Sequence, residues 1–200
     1  MINMGLSKHF VAVISLAFIS VTSYYYLKRK KKETNIDIYE VIMFSEKGLE
    51  LRKSKYSRCK ITVSMDRVLF YVNKPRYSLD LCMYVITNQD LTNILLKLNF
   101  KGVKIRIIID SVMAYSQGSA IKRLEKQGIE VRWIKTSSFM HHKFCLIDPE
   151  GEQPILMTGS LNWTSQALFG NYENVLVTSQ KLIVEQYQNE FERLWVSIKL

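Results

Sequence analysis

The sequence predicts an α/β fold: one domain with a mixed central sheet flanked by helices, preceded by one N-terminal transmembrane helix. Three observations carry this. Residues 10–27 form an uncharged, mostly apolar run closed by a block of five basic residues. Between residues 79 and 134, short runs rich in β-branched and aliphatic residues alternate with amphipathic helical patterns. From 142 to 178 the pattern turns strand-rich, and one long amphipathic helix ends the chain. With 48% apolar residues in 200, there is enough to bury one sizeable core.

Taken in order, residues 1–9 are a short lead and 10–27 the anchor. Eighteen residues in a helix span about 27 Å, enough for a thin bilayer. Tyr24, Tyr25 and Tyr26 suit the interface, and Lys28 to Lys32 hold the downstream side in the cytosol. A cleaved signal peptide fits less well, because its upstream end carries only Lys8 and the basic block lies on the wrong side. Residues 28–37 are a basic, polar linker and 38–200 the folded domain. Of the net charge of +10, six units sit in the first 32 residues, so the domain itself is only mildly basic.

Within the domain, 38–44 reads as a strand and 45–60 as an exposed basic loop with Lys47, Arg52, Lys53, Lys55, Arg58 and Lys60. A helix begins near Ser64 as its cap and stops before Pro75. Strand 79–86, helix 90–100 ended by Gly102, strand 104–110, helix 119–127 closed by Gly128 and strand 129–134 give a βαβαβ order, which implies mainly parallel pairing. Strands at 142–148, 155–158 and 174–178 follow. The last helix, 181 to about 198, is expected to bury Leu182, Tyr187, Phe191, Leu194 and Trp195. Cys59, Cys82 and Cys145 are odd in number and widely spaced, which argues against a disulfide framework.

The chemistry concentrates in 140–148 and 158–162. In a strand, positions two apart share a face, so His141 and Lys143 project together. An imidazole beside a fixed ammonium is what attack on a phosphodiester requires. Asp148 has the opposite parity and reads as a strand-end residue that holds the site from behind. His141 and His142, being adjacent, face opposite ways and cannot easily share a metal; no spacing resembles a zinc or di-metal site. Ser160 lacks the Gly-x-Ser-x-Gly elbow of a serine nucleophile. Asp110, ending a strand, is either a site residue or a turn former. His142 is expected to pack or hydrogen-bond, and Trp163 to sit in the core or an interface.

His141-x-Lys143-x4-Asp148 followed by Gly159-Ser160-x-Asn162 resembles the motif of the phospholipase D superfamily. With Ser78-Leu79-Asp80-Leu81-Cys82, Met140 to Phe144, Thr158 to Thr164 and Glu173-Asn174-Val175-Leu176, the likeness narrows to the mitochondrial cardiolipin hydrolase (Zucchini) family, over roughly residues 36–198. The resemblance implies a single phospholipase D-like domain whose catalytic set is His141, Lys143 and Asp148. His141 is the expected nucleophile, passing through a phosphohistidine. Lys143, Asn162 and Ser160 are expected to hold phosphoryl oxygens, and Glu173 to orient the imidazole. The superfamily uses two such motifs and this chain has one, which implies a homodimer. The family also implies single-stranded RNA (piRNA precursors) or cardiolipin as substrate, the latter giving phosphatidic acid, at the mitochondrial outer membrane with the domain facing the cytosol. A catalytically inactive scaffold has no need of the full set of residues. Relatives carry a cysteine/histidine zinc cluster before the second strand; here that segment offers Cys59 alone, so no metal and no cofactor are expected.

Overall fold

The computed structural model describes residues 4–33, 37–45, 50–135 and 137–198, with side chains in the first helix described for residues 12–27. The chain divides into two units, Met1–Ile36 and Asp37–Leu200. The first is helix α1 (Met4–Glu33), whose described side chains are all exposed. Among the described residues no helix is long and apolar enough to cross a membrane. The expected anchor at 10–27 begins with Phe10 and Val11, whose side chains lie outside the described residues, as does the basic block at 28–32.

The second unit opens with β1 (Tyr39–Phe44), then β2 (Leu51–Arg52) and β3 (Ile61–Thr62), which pair as a small ribbon beside the main sheet. Helix α2 (Val63–Val72) is capped two residues earlier than the sequence suggests. Thr62 accepts from the Met65 N–H at 3.1 Å, while the Ser64 hydroxyl donates to the Met43 carbonyl at 2.6 Å. Then come β4 (Ser78–Met83), α3 (Gln89–Phe100) capped by Asn88, and β5 (Lys104–Asp110). Gly102 takes φ +85° just past α3, the left-handed conformation that closes a helix without a Cβ clash. A short helix, α4 (Ser111–Ala114), was not legible in the sequence; α5 (Ile121–Lys126) and β6 (Glu130–Ile134) follow it. The chain finishes with β7 (Lys143–Ile147), β8 (Ile155–Gly159), α6 (Ser165–Phe169), β9 (Glu173–Thr178) and α7 (Lys181–Ser197).

The main sheet runs β1-β9-β8-β7-β4-β5-β6. Pairing is parallel only across β4, β5 and β6; the other four neighbour pairs are antiparallel, so the sheet is mixed. The expected βαβαβ unit supplies the parallel half. The antiparallel half arises because β7 returns along β4, with Leu79 opposite Ile147 and Met83 opposite Lys143.

Two cores cover the two faces. One joins α2, α3, α5 and α6 to the sheet through residues such as Val68, Leu91, Leu95, Ile107 and Cys145. The other packs α7 on the opposite face through Val184, Phe191, Leu194 and Trp195 against Phe144, Leu146 and Ile108. Leu182, expected on the buried face of α7, is exposed, and Val184, two residues on and on the opposite side of the helix, is buried instead. Arg106 on β5 ties α7 down. It reaches buried Asp80 at 2.7 Å and Glu192 at 2.6 Å, with its guanidinium over the Phe191 ring. Burial works against that charge, but the two carboxylates outweigh it and push the guanidinium further up.

Candidate active site

The candidate residues gather where β4 ends and β7 begins. His141 lies just before β7, outside the strand itself, yet its ring and Lys143 converge as parity predicts: Lys143 Nζ stands 3.2 Å from His141 Nδ1 and donates to the His141 carbonyl at 2.9 Å. His141 is exposed and Lys143 half-buried. Burial holds the Lys143 ammonium below the usual lysine range, with the Glu173 carboxylate opposing that shift.

What aims His141 is a buried carboxylate at the end of β5. Asp110, 3% exposed, caps α4 through the Val112 and Met113 N–H groups at 2.9 and 3.3 Å. Its other oxygen accepts from the backbone N–H of Met140 at 3.1 Å, which pins the residue immediately before His141. Asp110 is thus both turn former and support for the site. Tyr84, one residue past β4, was not singled out by the sequence. Its ring centroid lies 4.6 Å from that of His141, and Lys143 Nζ sits 5.3 Å above it. Exposed Phe139 meets the other edge of Tyr84. The signal for Tyr84 was only that its strand neighbour Met83 faces Lys143, a register no local pattern reveals.

Ser160 and Glu173 meet across β8 and β9. The Ser160 hydroxyl donates to one Glu173 oxygen in a very short bond, and the Asn171 amide donates to the other at 2.9 Å. The same hydroxyl accepts from the Asn174 N–H at 3.1 Å, and the Ser160 N–H donates to the Asn174 carbonyl at 3.1 Å. Only glycine permits this approach: a Cβ on Gly159 would stand 2.1 Å from the Asn174 carbonyl oxygen. The expected bond between Glu173 and the His141 ring is not among these contacts; Glu173 acts on Lys143 through its charge. Asn162 is half-buried, and its buried Oδ1 has no hydrogen-bond partner among the described residues. Leaving such a group unpaired costs about 1–3 kcal/mol, the kind of cost that functional sites carry.

Asp148 is not brought to this cluster. It follows β7 at the opposite end from Lys143, about 20 Å along the strand from His141. There its carboxylate accepts from the N–H groups of Arg76, Tyr77 and Ser78 at 2.9, 2.8 and 2.8 Å, holding the entry to β4, with its own φ at +46°. That is the place of the strand-end residue expected to hold the site from behind, and its geometry is that of a staple. His142 turns away, 3.7 Å from Glu190, with its ring beside Phe144. Trp163 is core, its carbonyl accepting from the Thr87 and Asn88 N–H groups. A depression of about 390 Å³ beside His141 is lined by Ile134, Phe139, Met140, Glu190 and Arg193 among others.

Cys82 and Cys145 are buried and Cys59 is exposed, all three free. Among the described residues no group of three or more histidine, cysteine, aspartate or glutamate side chains is gathered to hold a metal. The donor set around Cys59 does not fit the zinc cluster that the resemblance implies.

The family profile described as "Cardiolipin synthase, PLD-like domain" matches residues 69–195. A Chlamydomonas reinhardtii protein named mitochondrial cardiolipin hydrolase is 37% identical over 171 residues, covering 81% of this chain and 75% of its own. A Xenopus laevis protein of the same name is 33% identical over 198 residues, covering 98% and 92%. The human protein so named is 39% identical over 132 residues, and this chain spans 51% of its length. Among solved structures, the phospholipase D family member Nuc from Salmonella typhimurium superposes with a TM-score of 0.67 at 20% identity, over 82% of this chain and 97% of that one. NucT from Helicobacter pylori gives 0.62 at 19%, over 80% and 98%. At these identities the two structures speak for the fold alone.

Proposed function

This chain belongs to the phospholipase D-like family of mitochondrial cardiolipin hydrolases and is a phosphodiesterase, and from that premise we propose that His141 is its nucleophile. The observation that carries the proposal is the 3.2 Å approach of Lys143 Nζ to His141 Nδ1 beside the Ser160–Glu173 pair. A bound phosphodiester gives Lys143 a charged oxygen as acceptor in place of Nδ1. With Nδ1 then protonated, the lone pair on Nε2 attacks phosphorus. The P–N bond forms as the P–O bond to the leaving group breaks. Lys143 and Asn162 stabilise the phosphoryl oxygens, with Ser160 beside them.

One imidazole cannot both attack and protonate the leaving oxygen. A second copy of the chain supplies the other, so the protonated His141 of the partner subunit donates to that oxygen. That histidine, now neutral, takes a proton from water as water cleaves the P–N bond. The homodimer is a requirement of this chemistry. No metal or cofactor enters it.

Single-stranded RNA is the favoured substrate, in the manner of an endoribonuclease of piRNA biogenesis. Tyr84 and Phe139 offer aromatic faces beside the nucleophile, where unstacked bases bind without sequence preference. Cardiolipin, hydrolysed to phosphatidic acid, is the second reading. It is supported by the relatives' name and by the apolar floor that Ile134, Met140 and Leu194 give the depression beside His141. In either case α1, with its apolar run and basic flank, is the anchor that holds the domain at the mitochondrial outer membrane on the cytosolic side.

The test uses the full chain, wild type and His141→Ala, on bis-p-nitrophenyl phosphate, single-stranded RNA and cardiolipin liposomes, each with and without chelator. The expected result is hydrolysis that His141→Ala abolishes and chelation leaves intact. Hydrolysis that survives the substitution, or is lost on chelation, overturns the mechanism.

A further inference from the structure

Away from the nucleophile, side-chain hydrogen bonds hold loop 51–60 in place. Asp66 on α2 accepts from Arg52 Nη2 and from the Ser54 hydroxyl, both at 2.5 Å. Asp90 in the first turn of α3 accepts from the Ser57 hydroxyl at 2.8 Å, and Ser57 in turn accepts from the Cys59 N–H at 3.1 Å. The pairing of Leu51 with Thr62 and of Arg52 with Ile61 closes the base of the loop. Two carboxylates thus do for this loop what a zinc cluster is expected to do in relatives.

The loop so fixed is one lip of an open groove of about 750 Å³, whose other wall is α3 and α5. Its cations are Lys55, Arg58, Lys97 and Arg123. Its one carboxylate, Asp90, is already engaged by Ser57. Arg123 is steadied by Gln89 and Asn93 at 3.0 and 3.1 Å, while Arg58 and Lys97 are exposed with no acidic partner among the described residues. Apolar lining comes from Ile94, which is buried, Tyr56, which packs on the core, and the small Cys59 side chain, too little for an acyl-chain channel. The start of α3, which walls the groove, is tied to the segment that carries Asn162: Thr87 and Asn88 donate to the carbonyl of Trp163, the next residue in the chain.

We propose that this groove is an exosite for the phosphodiester backbone of single-stranded nucleic acid, gripping the strand beyond the scissile phosphate. The inference rests on the reading of the chain as a phosphodiesterase that acts on RNA. Open shape, unpaired cations and amide walls suit a backbone read by charge without base recognition.

The test measures binding of a labelled single-stranded RNA of about 20 nucleotides, longer than a single catalytic site covers. It uses the full chain carrying His141→Ala, so that bound RNA is not cut, alone and combined with Arg58→Glu and Lys97→Glu. The neutral pair Arg58→Gln and Lys97→Gln guards against misfolding. Charge reversal is expected to weaken binding about tenfold or more, and the neutral pair to make the log–log salt slope shallower by about 1.4, two phosphate contacts' worth. With His141 intact, both pairs should hydrolyse bis-p-nitrophenyl phosphate at the wild-type rate. RNA affinity and salt slope unchanged in either pair overturn the exosite, as does a parent chain that binds no RNA. So does a loss confined to cardiolipin vesicles, which assigns the cations to lipid. Failure of the parental chain with His141 to cleave the small diester overturns the catalytic reading instead, and the RNA titration still decides the groove.

Discussion

Replacing Asp148 separates support from chemistry. Its carboxylate accepts three backbone N–H groups: those of Arg76 and Tyr77, which are exposed, and that of Ser78, half-buried. Water can replace the first two, so each is worth about 1 kcal/mol, and the third about 2 kcal/mol as a charge-assisted bond. Alanine at φ +46° adds about 1 kcal/mol of backbone strain. Asp148→Ala should therefore cost about 5 kcal/mol, a fall of roughly 10–15 °C in melting temperature for a domain of this size. Asp148→Asn keeps one acceptor for Tyr77 and Ser78 and tolerates the positive φ, so its cost is about 1–2 kcal/mol. The assay pairs thermal unfolding with turnover of bis-p-nitrophenyl phosphate, measured below both melting points. Asp148→Asn should turn over within about threefold of wild type, since the carboxylate sits about 20 Å from His141. A variant that melts like wild type yet loses a hundredfold in kcat would refute the reasoning and return Asp148 to the chemistry.

Lys143→Met should lower kcat by about 10²–10³ with little change in melting temperature, because it removes a cation that acts on developing charge. If one site needs two copies of His141, co-expressing equal amounts of wild-type and His141→Ala chains should leave about a quarter of the wild-type activity, since only wild-type pairs function; half the activity would mean each chain works alone. Glu40 is held below the usual carboxylate range, first by its bond to Arg67, with burial opposing and Tyr71 assisting. Its contribution to stability is therefore full above the unfolded value and lost as pH falls through the lower folded value. Glu40→Gln should lower the melting temperature at pH 7 and have no effect in melts at about pH 2; an equal loss at both would show that packing, not charge, is at work.

Much of the fold was legible because burial imposes period on sequence. The runs at 104–110 and 143–147 are buried along most of their length and read as apolar strands, and the long last helix declared itself by its spaced aromatics. Sheet order was not legible, since β7 inserts between β4 and β8 through register rather than through any local pattern. Helix starts slipped where two hydroxyl residues competed, as at Thr62 and Ser64. In the site, His141 and Lys143 stood out because their spacing is itself the geometry. Tyr84, Asn171 and the hold of Asp110 on Met140 come from distant segments, and nothing near them in sequence announces the contact.

The pairing of β1 with β9 also has a consequence during synthesis. β1 is an edge strand whose one neighbour in the sheet is β9, with Phe44 opposite Glu173 and Tyr39 opposite Thr178. Its partner thus leaves the ribosome about 130 residues later, some 6 to 26 seconds at ordinary elongation rates. Through that interval β1 carries Tyr39, Val41 and Met43 on a face that is still exposed in the finished fold, with both edges unpaired. The His141–Lys143 segment and the Ser160–Glu173 pair are translated within the last third of the chain, so the sheet closes and the site assembles nearly together. A nascent chain stalled before residue 173 is therefore both unfinished as a fold and silent as an enzyme, and it is the species in which holdase chaperones should be found.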